Sequence, residues 1–362
     1  MATRDFHDKP FDEGTKLKLE LVQLYTRVWL PVFLAPINPR WKHVHIYDFF
    51  CGPGEDSAGV EGSAVRIVRE LLACKGDWAA KGITVHLHFY DADGDKRIAL
   101  GNKLAPLLQG VNNVVRDVRA IPFDQAFPEA LPTLNDPDAA KLVLLDPCGV
   151  NFATPNVFQH LIAAKYTDFL LFSASWYLHR FRTVDSIVLK IERPDDFYHV
   201  HRVTLDAVKT LVPASAKYYL APFSIKKGTN IYGIIFGTSN LLGMDKFLST
   251  AWNMAPSNGE ANYDIDRADF AAANPFLPME GFSSAPTKLE AFESELRTAV
   301  LAGKCPTERE IIELCFDHGV RRQHAEPVIK ALKTEKAIEC DFRVPQIDTL
   351  RQVKLLSKAS VI

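Results

Sequence analysis

Short continuous apolar runs alternate along this chain with stretches in which apolar residues return every three or four positions. Runs of the first kind read as buried strands and the second as amphipathic helices. Val44–Phe50, Ile83–Tyr90, Val111–Arg116, Lys141–Leu145 and Asp168–Ser173 are predicted strands. Ser63–Leu72, Lys96–Leu108 and Pro155–Ala164 are the predicted helices between them. Ahead of the first strand, Leu17, Leu21, Leu24, Val28 and Val32 share one stripe of a helix over Thr15–Leu34, which Pro31 is expected to end or kink. This alternation predicts an α/β, doubly wound, mostly parallel sheet. Lys217–Ile225 and Asn230–Gly237, joined by Lys226-Lys227-Gly228-Thr229, read as a terminal antiparallel hairpin, and Met244–Met254 as a helix. Residues 181–210 read as a polar helical insertion on the substrate side.

Residues 256–286 are rich in Pro, Gly, Ser and Asn without periodicity, and are read as a linker between a domain over 1–255 and a smaller one over 287–362. In the smaller domain, helices are expected at Thr287–Val300, Thr307–His318 and Arg321–Lys333, with a strand at Ala337–Phe342. That is winged-helix order. From Thr287 onward there are 13 Lys/Arg and 12 Asp/Glu, so the tail carries no strong field for nucleic acid. Arg321, Arg322 and Lys330 nevertheless gather on the second helix of the pair, where a recognition helix would present them.

A 362-residue chain that is 47% hydrophobic, with a formal charge of -2, can bury a sizeable core and has no overall basic footprint. Cys51, Cys74, Cys148, Cys305, Cys315 and Cys340 show neither C-x-x-C nor metal-ligand spacing. They read as reduced thiols, and the start of the chain lacks a signal-peptide apolar core, so a cytoplasmic location is expected. No apolar run is long enough to span a bilayer.

Chemistry-bearing residues fall at the predicted strand ends. Asp48 stands where the first strand gives way to Cys51-Gly52-Pro53-Gly54, and Gly52 and Gly54 let the backbone turn sharply and approach a ligand. The dinucleotide fingerprint fails, because Ser57 stands at the third glycine position and the next strand-end acid is Asp91. No G-K-[ST] is present. What remains, D-x-x-C-G-x-G, resembles the first motif of S-adenosylmethionine-dependent methyltransferases. Asp91 closes the second strand and is expected to accept ribose hydroxyls, with Asp93 or Asp95 capping the next helix. Asp117 is expected at the end of the third strand, near an adenine amino group. Asp146-Pro147-Cys148-Gly149 closes the fourth.

DFFCGPG with GSAV, the strand-end Asp91, LLDPCG and the YGIIFGTSN-to-LLGMDKF run together resemble the three-Cys-motif partner proteins. The helix carrying Lys18, Tyr25 and Trp29 fits as well, as packing or as a lid over a cofactor pocket. The resemblance covers roughly residues 15–255, with a winged-helix appendage in the tail. It implies a Rossmann-like methyltransferase sheet that binds S-adenosylmethionine through Asp48, Gly52, Gly54, Asp91 and Asp117, with Asp146 facing the reacting centre. It also implies a radical-S-adenosylmethionine-like partner bearing three cysteines. Cys148 departs from the family, which more usually has an aromatic there.

Methyl transfer from a sulfonium needs alignment and, for a protonated nucleophile, an acceptor for the proton. Asp146 is placed for that role. Cys148 allows a second chemistry, since cytosine-C5 methyltransferases carry a Pro-Cys at this strand exit, although their ENV and QxRxR motifs are missing here. His179 and Arg180 follow an aromatic pair and suit a phosphate or base as well as a solvated helix start. A non-catalytic adaptor with a degenerate methyltransferase fold and a docking tail is the alternative from another class.

Overall fold

The computed structural model describes residues 9–147, 154–174, 199–228, 230–266 and 286–356. The chain divides into two units, Met1–Lys246 and Phe247–Ile362.

The first unit opens with helix α1 (Glu13–Leu34). Asp12 caps it by accepting from the Thr15 amide at 2.8 Å, and Leu21, Tyr25, Trp29 and Leu34 are buried along one face. Pro31 lies inside this helix, which continues to Leu34 rather than ending there. Strands β1 (His43–Asp48), β2 (Thr84–Asp91), β3 (Val114–Ala120), β4 (Ala139–Leu145) and β5 (Thr167–Ala174) are parallel. They alternate with helices α2 (Ser63–Ala73), α3 (Gly94–Leu107), α4 (Phe123–Leu134) and α5 (Pro155–Ala163). After α6 (Val200–Lys209), strands β6 (Tyr219–Lys227) and β7 (Asn230–Thr238) form an antiparallel hairpin, and β7 inserts against β5.

The sheet order is β3-β2-β1-β4-β5-β7-β6. It reverses direction between β1 and β4, so the crevice beyond their carboxyl ends is the expected ligand position. β4 is buried along its whole length, as a central parallel strand should be. One face of the sheet holds Tyr47, Phe49, Tyr90, Val143 and Phe169 against Phe123, Phe127, Phe158 and Leu161 from the helices that follow β3 and β4. The outer strands are β3 and β6. β3 carries Arg116, Asp117 and Arg119, and β6 carries Pro222 and ends in Lys226-Lys227. Lys227 is paired with Asp12 at 2.5 Å.

β3 lies three residues later than its apolar signal suggested. Val111 and Asn112 precede it, Asn113 takes a left-handed φ of 56°, and the strand runs from Val114 to Ala120. Pairing with β2 sets this register, with Asp117 opposite His88.

Helix α7 (Leu241–Met254) carries the chain from the first unit into the second. The second unit then holds α8 (Lys288–Leu301), α9 (Glu308–Asp317), a 3-10 turn (Arg322–Ala325), α10 (Glu326–Thr334) and a two-stranded ladder of β8 (Ile338–Glu339) with β9 (Lys354–Leu355). Capping boxes open α8 (Thr287 with Glu290) and α9 (Thr307 with Glu310). Glu308 is fully buried and collects the Arg351 guanidinium at 2.9 Å, the Gln346 amide at 3.0 Å, the Arg351 amide at 3.1 Å and the Thr349 hydroxyl. One carboxylate thereby ties the segment before β9 to the first turn of α9.

Candidate cofactor-binding site

Asp48 is the last residue of β1 and is 1% exposed. Its carboxylate accepts from the Ser63 hydroxyl at 2.5 Å and the Phe50 amide at 3.1 Å. Burial pushes its pKa up to about 6. The hydrogen bonds from Ser63 and Phe50 oppose that rise, and Asp146 adds to it.

The glycine turn comes next. Cys51 donates its amide to the Tyr90 carbonyl at 3.0 Å, and Gly52 donates to the Asp91 carboxylate at 3.1 Å. The Asp93 amide donates to the other Asp91 oxygen at 3.0 Å. Asp91 therefore joins the turn after β1 to the turn after β2 at the carboxyl edge of the sheet. It keeps lone pairs for a further donor, since each carboxylate oxygen has two. Gly54 has φ +94°, and a Cβ there would stand 2.9 Å from Leu100 Cδ1 and 3.2 Å from Val65 Cγ2. Only glycine lets this turn lie so close to α2 and α3. Asp93 caps α3 through the Asp95 and Lys96 amides, leaving Asp91 to the turn.

Asp146 follows β4 directly and its side chain is 37% exposed. Lys18 of α1 reaches it in a short ion pair, and the same ammonium sits 4.4 Å over the Phe172 ring. A small cleft of about 20 Å³ lies here between α1 and the strand ends; Lys18, Val22, Asp48, Ser63, Asp146 and Phe172 line it. Lys18 thus stands across the cleft, while Tyr25 and Trp29 of the same helix are in the core. The Tyr25 hydroxyl donates to Asp168 at 2.6 Å, and Thr238 donates to its other oxygen at 2.5 Å. Burial pushes the Asp168 carboxyl up to about 6 against these hydrogen bonds and one from Trp29. In the sequence Asp168 reads only as a strand start. The signal for its role is an acid inside an otherwise apolar strand.

Asp117 does not stand at the carboxyl edge of the sheet. It is three residues short of the end of β3, accepts from the Tyr90 hydroxyl at 2.7 Å, and lies 3.2 Å from Arg119 Nε. The adenine role expected of it rested on a strand end at Arg116, which the observed strand overruns. Cys148, Ser175, Trp176, Tyr177, His179 and Arg180 lie outside the described residues.

The basic cluster of the second unit is also arranged differently. Pro327 starts α10, so Arg321 and Arg322 precede that helix instead of standing on it. The Arg321 guanidinium lies 5.6 Å over the Trp252 ring, and Arg322 donates to the Pro345 carbonyl at 2.8 Å. Lys330 is on α10 and exposed.

No protein-family model matches this sequence. No curated protein matches it either. Among solved structures, the chain is similar to Trm1 from Pyrococcus horikoshii, solved with S-adenosyl-L-methionine, at 11% identity and a TM-score of 0.40, over 63% of this chain and 56% of that one. A SAM-dependent methyltransferase from Agrobacterium tumefaciens matches at 11% identity and a TM-score of 0.32, over 63% and 62%. Spermidine synthase from Thermotoga maritima matches at 13% and 0.32, over 64% and 66%. The chain thus spans less than two thirds of each of these neighbours. Likenesses at these scores add nothing to the strand order itself, in which a reversed β7 sits between β5 and β6 in a mostly parallel, Rossmann-like sheet. Among the described residues, no helix is long and apolar enough to cross a membrane.

Proposed function

We propose that the first unit is an S-adenosylmethionine-dependent methyltransferase. One observation carries this reading: the bond from the Gly52 amide to Asp91 brings the glycine turn of β1 and the acid of β2 together, with Asp48 alongside, at the point where the sheet order reverses. A nucleoside with amino and hydroxyl donors suits this arrangement, because Asp48 and Asp91 are acceptors flanking a backbone that closely follows the turn. Gly52 and Gly54 would hold the cofactor's backbone contacts. When bound, the cofactor supplies an electrophilic methyl group on a sulfonium.

Asp146 is the acid that serves the methyl acceptor. It borders the same cleft as Asp48, and its carboxylate can take a proton or a hydrogen bond from an incoming nucleophile once Lys18 moves aside. A second reading, a non-catalytic adaptor, draws on that same ion pair: a carboxylate already engaged by Lys18 is not open to a nucleophile. The methyl acceptor belongs to nucleic acid or to a product of a radical-S-adenosylmethionine-like partner. The second unit, with helices followed by a small ladder, serves as a winged-helix module. The inward engagement of Arg321 and Arg322 favours protein docking over nucleic acid for it.

Calorimetry with S-adenosylmethionine and S-adenosylhomocysteine tests the binding, and labelled-methyl transfer to total nucleic acid and to partner proteins tests the chemistry. Asp146→Ala should keep cofactor affinity and lose about 100-fold or more in turnover. Absence of binding, with NAD or ATP bound instead, ends the methyltransferase reading. Binding without transfer by the wild type, partner present, establishes the adaptor.

A further inference from the structure

The amino end of the sheet, opposite the cofactor edge, carries a cluster that has no part in the proposed methyl transfer. Alternation along β1 and β2 puts His43, His45, Tyr47, His86, His88 and Tyr90 on one face, and parallel pairing sets His45 beside His86 and Tyr47 beside His88. The rings stack, His45 on His86 at 4.2 Å between centroids and Tyr47 on His88 at 4.1 Å. His43 Nδ1 and His86 Nε2 face each other at 3.0 Å. His43, His45 and His86 can each offer one ring nitrogen such that all three lie within 4.8 Å of one another.

A hydrogen-bond relay fixes one of these donors. Asp117 can only accept from Tyr90, at 2.7 Å, so the tyrosine oxygen must itself accept from His88 Nδ1, at 3.2 Å. The neutral His88 ring then has a bare Nε2, which accepts from His45 Nδ1–H at 3.0 Å. His45 is left with an Nε2 lone pair. A histidine whose second nitrogen donates into a chain that ends on a carboxylate is the usual outer-shell arrangement around a metal-bound imidazole.

We propose that His43, His45 and His86 bind one transition-metal ion of the zinc, nickel or copper class. Three imidazoles are borderline-soft ligands that select these ions over magnesium or calcium. Nitrogens at about 2.0–2.1 Å from a tetrahedral ion stand about 3.4 Å apart. The His43–His86 pair already has nearly that spacing, and all three donor nitrogens lie within 4.8 Å of one another. His43 is exposed, which opens an entry path and a position for water as the fourth ligand. Moving the single proton between His43 and His86 to an outer nitrogen frees both facing lone pairs. Lys141, whose buried side chain donates to the Asp136 carbonyl at 2.5 Å, weakens the site by its charge but leaves the three donors in place.

The test uses the full chain without a histidine tag, stripped with chelator and titrated with Co²⁺ and then Zn²⁺. The expected result is one equivalent of Co²⁺ giving a tetrahedral visible spectrum without thiolate charge transfer, displaced by Zn²⁺. His43→Ala, a change at an exposed position, should weaken binding at least tenfold with an unchanged circular dichroism spectrum. His86→Gln should do the same and covers the case in which His43 merely guards the entry. No binding by the wild type up to millimolar Co²⁺, a thiolate band, or affinity equal to wild type in both variants would overturn the proposal. Cofactor calorimetry on the stripped chain reads the other site separately.

Discussion

Replacing Gly54 by alanine is expected to disable the cofactor turn, and Gly59 provides the matched control. Both residues have a left-handed φ, +94° at Gly54 and +79° at Gly59. Any Cβ in that region costs about 1–2 kcal/mol. At Gly59 nothing lies within 4 Å of the added carbon, so the backbone cost is the whole effect. At Gly54 the carbon meets Leu100 at 2.9 Å, Val65 at 3.2 Å and Lys103 at 3.3 Å. Leu100 is fully buried and Val65 nearly so; neither can swing into solvent, and overpacking of this kind adds about 1–3 kcal/mol. The sum is about 2–5 kcal/mol for Gly54→Ala against about 1–2 for Gly59→Ala. At about 2–4 °C per kcal/mol for a unit of this size, melting should fall by roughly 4–20 °C and 2–8 °C respectively. The turn relieves the clash by moving away from α2 and α3, which shifts Gly52 off Asp91. S-adenosylmethionine affinity by calorimetry should therefore drop at least tenfold in Gly54→Ala and stay within about twofold in Gly59→Ala. Equal losses in the two variants would refute the packing argument, and intact binding in Gly54→Ala would refute the placement of the cofactor on this turn.

Cofactor affinity should fall as pH drops below about 6, by up to tenfold per unit, because a ligand donor needs Asp48 ionised and burial has raised its pKa to about 6. In the ligand-free chain the sign is the opposite: Asp48 adds stability while protonated, fully below about pH 4, and that contribution is lost as pH rises through about 6. Asp48→Asn should flatten both profiles, and a binding profile unchanged by that substitution would remove Asp48 from the site. In the second unit, Glu308→Ala should cost at least about 2 kcal/mol in chemical denaturation of the full chain, since it strips four donors, one of them a guanidinium, of their shared acceptor. A change under about 0.5 kcal/mol would show that the segment before β9 is held by other contacts.

The central strands and the glycine turn were legible because burial on both faces writes itself as an unbroken apolar run. β4 has that character throughout and β1 after His43, whereas burial alternates along β2; Asp48, Asp91 and Asp146 stand out because each falls where a predicted strand gives way to a turn. β3 was not so marked. It is an outer strand reading Val-Val-Arg-Asp-Val-Arg-Ala, its limits come from pairing with β2, and that pairing moved Asp117 inward. Arg321 and Arg322 looked helical by spacing, but Pro327 sets the start of α10 after them. The histidines of β1 and β2 alternate visibly in sequence, yet their convergence depends on register between two strands some forty residues apart. Asp168 and Tyr25 are separated by 143 positions, and nothing local to either announces the bond between them.

The two outer strands bear on how the sheet can associate. An incoming strand at β3 would have to align its backbone with Arg116, Asp117 and Arg119, charges that hold water along that border. At β6 it would meet Pro222, which has no amide hydrogen to offer, and then the paired Lys227 at the end of the strand. Both margins are therefore finished against backbone-to-backbone extension. A protein that joins the first unit has to recognise side chains on its helices and loops. Its specificity is then written in replaceable residues, and it can diverge while the seven strands stay as they are.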